Sequence, residues 1–108
     1  MGDMMKVTVL YTKESITIEI IGHAGYTEAC GHDLVCCGIS AIAQAILHYL
    51  SSTTDLVRGS MVKKGLMQMS LKHDDLTEHM THMLICACHE IKKEYKEALK
   101  VEVIFDGN

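Results

Sequence analysis

The residues of this chain best suited to chemistry are its five cysteines and seven histidines. One segment concentrates them: Gly22-His23-Ala24-Gly25, followed by Gly31-His32-Asp33-Leu34-Val35-Cys36-Cys37-Gly38-Ile39-Ser40. It sets His23 on a loop with Gly22, Gly25 and Gly31, and Cys36 in the first turn of an apolar helix. With Asp33 as the N-cap, Cys36 is the third helical residue, where the helix dipole and unpaired N–H groups favour a thiolate. The same N–H groups, those of Cys36 and Cys37 included, are suited to hold an oxyanion. A histidine within hydrogen-bond reach acts as base and then as acid, which makes the pair the core of a Cys–His hydrolase. Asp33 would oppose the thiolate unless it caps the helix or orients a histidine. The competing reading is plain packing, because cysteine is among the most buried residue types and a buried thiol is inert.

The remaining candidates carry less. Cys36 and Cys37 are neighbours, where a disulfide is strained, and five cysteines cannot all pair within one chain. No CxxC pair occurs, so zinc-ribbon and thioredoxin patterns are absent, and neither a metal nor a cofactor is expected. His79, His82, Cys86 and His89 step by three, four and three along one helix face. A straight helix offers at most two well-placed ligands to one ion, so these read as a polar or partner-facing stripe. Cys86 and Cys88 read as helix packing, and His32, His48 and His73 as isolated. Met67 and Met69, and the pair Met80 and Met83, read as core fillers.

The elements that position these residues follow from hydrophobic period. Val7 and Val9 alternate with Thr8 and Leu10, then Ile16, Ile18 and Ile20 with Thr17 and Glu19, around a turn at residues 12–15. That is a β-hairpin with one buried face. Residues 22–33 carry three glycines and no period, which reads as a long functional loop. A helix over residues 34 to about 50 carries the stripe Val35, Ile39, Ile42, Ile46 and Leu50. A second hairpin covers residues 56–62 and 66–72, turning at Lys63-Lys64-Gly65. Asp75 with Glu78 starts a helix that runs to about Leu99 with the stripe Leu76, Met80, Met83, Leu84, Ala87, Ile91 and Ala98. A strand over residues 101–105 closes the chain. The order ββαββαβ predicts one α+β domain over residues 1–108, a mainly antiparallel sheet with two helices.

Composition agrees and narrows the class. The chain has 108 residues, 48% hydrophobic and 22% charged, which suits one compact domain. A net charge of -4 argues against a nonspecific nucleic-acid coat, so no direct nucleic-acid binding is expected. The most apolar run, residues 34–47, already contains Ser40 and Gln44 and is shorter than the about 20 residues of a membrane span. The N-terminus shows neither a secretion signal nor a myristoylation pattern. A reducing cytosol is the expected setting.

The string GHAGY followed by GHDLVCCGIS resembles the signature of the ribosomal-processing cysteine protease family, Prp. In that family a G-H-A loop leads, about a dozen residues later, into G-x-D-[IL]-V-C-[AC]-x-x-S at a helix start, and the similarity covers the whole chain. The resemblance implies a cytosolic homodimer that cleaves the N-terminal extension from a large-subunit ribosomal protein precursor. Matched by position, Cys36 corresponds to the nucleophile and His23 to the general acid/base. Asp33 and Ser40 correspond to supporting motif positions, and Gly22, Gly25 and Gly31 belong to a loop that gates substrate. Cys37 stands where alanine is common. Cys30, in the loop, is close enough in sequence to Cys36 for a bridge under oxidation if the loop bends back, which reductant-sensitive mass would reveal. The contrasting reading is a ribosome-associated binding module with a vestigial cysteine site.

Overall fold

The computed structural model describes residues 4–22 and 31–106, with backbone alone at 31–34. Alternation does what the sequence predicts. Strand β1 (Met5–Tyr11) buries Met5, Val7, Val9 and Tyr11, and β2 (Ser15–Ile21) buries Ile16, Ile18 and Ile20. After helix α1 (Gly31–Thr53) come β3 (Val57–Lys63) and β4 (Leu66–Lys72), then α2 (Asp75–Glu94) and β5 (Leu99–Phe105). The sheet order is β3-β4-β2-β1-β5, antiparallel except where β5 runs parallel to β1. Parallel pairing needs a crossover, which α2 supplies. The domain is therefore α+β in the order ββαββαβ, with a mixed sheet.

Both helices cover one face. The inward set of the strands joins Val35, Ile39, Ala43, Ile46 and Leu50 of α1 and Leu84, Ile85 and Cys88 of α2 in a single core. Each fully buried aliphatic side chain contributes roughly 1.5–3 kcal/mol. The other face is polar: Gln68 donates to Glu19 at 2.7 Å, and Lys6 pairs with Glu102 at 3.4 Å. On the edge, β3 is exposed beyond Val57 and breaks register between Val57 and Gly59, a bulge that blunts a free edge.

The helices depart from the sequence reading. Helix α1 starts at Gly31, not Leu34, so Asp33 lies inside the helix instead of capping it, and Gly31 opens the helix instead of belonging to the loop. The apolar stripe begins only at Val35, so period alone places the start too late. The apolar stretch is also longer than the 14-residue run: residues Val35–Thr53 have mean hydropathy 1.4, enough by length and composition to cross a membrane. Instead α1 lays its buried stripe on the sheet.

Helix α2 is capped by Asp74, one residue earlier than expected. Asp74 Oδ1 accepts from the Thr77 N–H at 3.0 Å, and Thr77 Oγ1 accepts from the Asp74 N–H at 3.0 Å. The helix stops at Glu94, so Ala98 packs from the connection and β5 begins at Leu99, two residues before the expected Val101. Thr77 and Thr81, outside the expected stripe, are buried, whereas Met83, expected in it, is 54% exposed. Cys86 is likewise exposed, unlike the buried Cys88.

The far end of the sheet is held by side chains. His73 Nδ1 sits 2.6 Å from the Thr12 carbonyl and its Nε2 3.3 Å from Glu78. Hydrogen bonding to Thr12 is the main reason its pKa is raised, and the neighbouring Glu78 and Asp74 add to it. Tyr11 stacks on Phe105 with ring centroids 4.9 Å apart, and burial first, then Glu78, raises its pKa.

Candidate active site

A helix repeats its surface every three to four residues, so Cys36, Ser40 and Gln44 of α1 form one row. That row lines a small cleft of about 70 Å³. Its facing wall is the tip of the β3–β4 hairpin, with Val62, Lys63, Gly65 and Leu66, and its floor is Met5, Ile20 and Met67. Gly22, where β2 ends, stands on the rim. The topology explains the meeting: β1 begins, β2 ends, β3 turns into β4 and α1 starts, all at one end of the sheet.

Of the residues expected at the site, the structure brings Cys36, Ser40 and Gly22 to this cleft. His23, Gly25 and Cys30 lie outside the described residues, as does the Asp33 side chain. Gln44 and the hairpin tip were not anticipated. The only sequence trace of the tip was Gly65 at the end of a two-residue turn, where a left-handed residue is needed; its φ is +79°.

The cysteines separate clearly. Cys36 is half-buried and free in the cleft, whereas Cys37 is exposed and takes no part in its lining. Burial pushes the Cys88 thiol up to about 11, so it stays neutral and unreactive at ordinary pH. Among the described residues no three His, Cys, Asp or Glu side chains are grouped to hold a metal, and His79, His82, Cys86 and His89 are all exposed.

The longer helix corrects the electrostatics expected of Cys36. It is the sixth helical residue, about 7.5 Å along the axis from Gly31. The unpaired N–H groups belong to the first turn, and the dipole effect fades beyond it. The N–H groups of Cys36 and Cys37 are therefore committed within the helix and are not oxyanion donors. Ser40, one turn on, lines the cleft with Cys36.

A family model described as Cysteine protease Prp matches residues 4–100. No curated protein sequence matches the chain. Among solved structures, SMU.848 from Streptococcus mutans aligns with TM-score 0.78 at 22% identity, covering 97% of each chain. The essential ribosomal processing protease Prp from S. aureus, crystallised with a substrate peptide, aligns with TM-score 0.76 at 20% identity, covering 93% of this chain and 99% of that one. The same S. aureus protein with a covalently linked product peptide aligns with TM-score 0.74 at 20% identity and the same coverage.

Proposed function

Because the chain belongs to the Prp cysteine protease family, we propose that it is an endopeptidase that removes the N-terminal extension of a large-subunit ribosomal protein through Cys36 and His23. The observation that carries this reading is the cleft: a free, half-buried Cys36 thiol with Ser40 one turn away and, on the rim, the residue that precedes His23.

His23 takes the Cys36 proton, and the thiolate sulfur attacks the scissile carbonyl carbon. Protonated His23 then gives its proton to the leaving amine, which departs as the mature N-terminus. Water, deprotonated by His23, hydrolyses the resulting thioester and frees Cys36. Ser40 is a candidate donor to the oxyanion, and Asp33 orients a histidine if its carboxylate reaches one. Substrate gating is assigned to the segment that follows Gly22 and carries Gly25. A relative captured with a covalently linked product peptide supports a covalent intermediate.

The protein acts as a homodimer in the cytosol, on a protein partner and not on nucleic acid. Self-association is supported by an apolar groove of about 330 Å³ between the helices, where Tyr49 and Met83 are exposed beside Ile42 and Met80. Sedimentation at micromolar concentration is expected to give twice the chain mass. The four cysteines among the described residues are free, which suits a reducing compartment, and the net charge of -4 disfavours phosphate-backbone binding.

The test is incubation of the extended ribosomal precursor with wild type and Cys36→Ala. Wild type is expected to shorten the precursor and Cys36→Ala to leave it intact, with unchanged circular dichroism. A folded wild type that binds the precursor without cutting it establishes the binding-module reading instead. Cleavage by Cys36→Ala removes Cys36 as the nucleophile.

A further inference from the structure

Strand β3 is one edge of the sheet, and its two halves differ. Register breaks between Val57 and Gly59, then runs unbroken from Gly59 with Ser70 to Lys63 with Leu66. The regular half borders the cleft, where Val62 and Lys63 share the wall facing Cys36. Met61 is 45% and Val62 51% exposed, and no charged residue lies in Ser60-Met61-Val62. The opposite edge, β5, carries Lys100 and Glu102 along its length. Charges and bulges are the ordinary guards of an edge strand, and Ser60-Met61-Val62 has neither.

The hairpin dictates which backbone groups this edge presents. Lys64 and Gly65 form a two-residue turn, so the closing pair Lys63 and Leu66 exchanges both hydrogen bonds. Bonded and non-bonded pairs alternate from there. Met61 is therefore bonded inward to Gln68, whereas the N–H and C=O groups of Ser60 and Val62 point outward, away from β4. Among the described residues no strand pairs with them. Val62 stands opposite the buried Met67, so its side chain is on the helix side of the sheet, the side that carries Cys36.

We infer that the free edge at Ser60 and Val62 takes the protein substrate as an added strand, whose main chain pairs with these two residues and leads the scissile bond to Cys36. This deepens, and rests on, the assignment of Cys36 as nucleophile. An added strand lies about 4.8 Å outside the edge and turns alternate side chains to each face. Alternate substrate side chains therefore enter the cleft over Val62 and Leu66. Recognition divides accordingly: the edge supplies sequence-independent affinity, and the apolar cleft selects the side chain.

The test follows backbone amide exchange in Cys36→Ala, free and saturated with a peptide that spans the cleavage point of the extended precursor. The Ser60 and Val62 amides are expected to slow by about 10-fold or more on binding, while Met61, already bonded to β4, changes by less than about twofold. Equal slowing at all three, no slowing at Ser60 and Val62, or no binding at about 1 mM peptide overturns the proposal.

Proline substitutions read the same geometry in cleavage. Ser60→Pro removes one outward donor and no ladder bond, a place where an edge strand tolerates proline. Gly59 precedes it and brings no Cβ to clash with the ring. Ser60→Pro is expected to keep the thermal midpoint within about 4 °C and to lower kcat/KM for the precursor by about 2- to 10-fold. Met61→Pro removes a ladder bond and is expected to lower the midpoint by more than about 4 °C. A folded Ser60→Pro with full kcat/KM overturns the proposal, and amide exchange decides if that variant does not fold. Cleavage by Cys36→Ala defeats the nucleophile assignment, whereas protection at Ser60 and Val62 reports on strand addition alone, so the two failures are distinct.

Discussion

The two ends of the sheet are built differently. At the end where β1 passes into β2, side chains hold the structure: Thr12 gathers the turn, His73 ties it to α2, and Asp74 and Thr77 cap that helix reciprocally. Thr77 Oγ1 also donates to the Lys72 carbonyl at 2.7 Å, and Tyr11 stacks on Phe105. Backbone bonds close both ends, His73 N–H to the Glu14 carbonyl and Asp106 N–H to the Tyr11 carbonyl at the first, Met5 N–H to the Ala98 carbonyl and Gly22 N–H to the Gly65 carbonyl at the cleft, but the first end adds this set of side-chain bonds. The difference separates stability from chemistry. Polar side chains committed to capping are unavailable to a substrate, while glycine junctions leave Cys36 and Ser40 facing open space.

This contrast is sharpest in Cys36→Ala. Truncating a half-buried thiol on the cleft wall removes little packing, so activity falls to background while the thermal midpoint moves by only about 2 °C. A collapse in midpoint would mean that the cleft end is also structural.

At the other end, Asp74→Ala removes the reciprocal cap and is expected to cost about 1 kcal/mol, lowering the midpoint by roughly 4–8 °C. Cleavage below the melting range should be unchanged, because Asp74 lies across the sheet from the cleft. Loss of kcat in the folded variant breaks the separation.

A smaller effect belongs to His73→Gln. The folded-state pKa of His73 is raised, mainly by hydrogen bonding to the Thr12 carbonyl. Its ionic contribution is therefore complete below the ordinary histidine value of about 6.5 and is lost as pH rises through the raised value. The midpoint gap between wild type and His73→Gln is expected to be wider at pH 5.5 than at pH 8.5. A gap that is equal or wider at pH 8.5 removes the charged clamp.

The sheet was legible wherever burial alternates, since Val7, Val9, Ile16, Ile18, Ile20, Met67, Met69 and Leu71 all face the core as their period requires. Helix ends were not, for reasons beyond local sequence. The Lys- and Glu-rich run after Ile91 continues a helical pattern, yet the chain must leave it so that Leu99 can pair with Met5. Thr77 goes inside because its hydroxyl finds the Lys72 carbonyl, a partner that only the fold supplies. At the site, Cys36 was legible as a cysteine near the start of an apolar helix, and Ser40 only through the resemblance to the Prp signature. The hairpin wall was not, because Gly65 reaches Gly22 only after β2, β4 and the register between them are in place.

The most direct measurement of the central claim is the mass of the enzyme quenched in acid during turnover of the extended precursor, in a Cys37→Ser background. A thioester on Cys36 adds the mass of the released extension less one water, and fragmentation places it on that residue. The account predicts this adduct on Cys36, rising within the first turnover and absent in Cys36→Ala. Turnover with no adduct, or with the adduct on another residue, contradicts it.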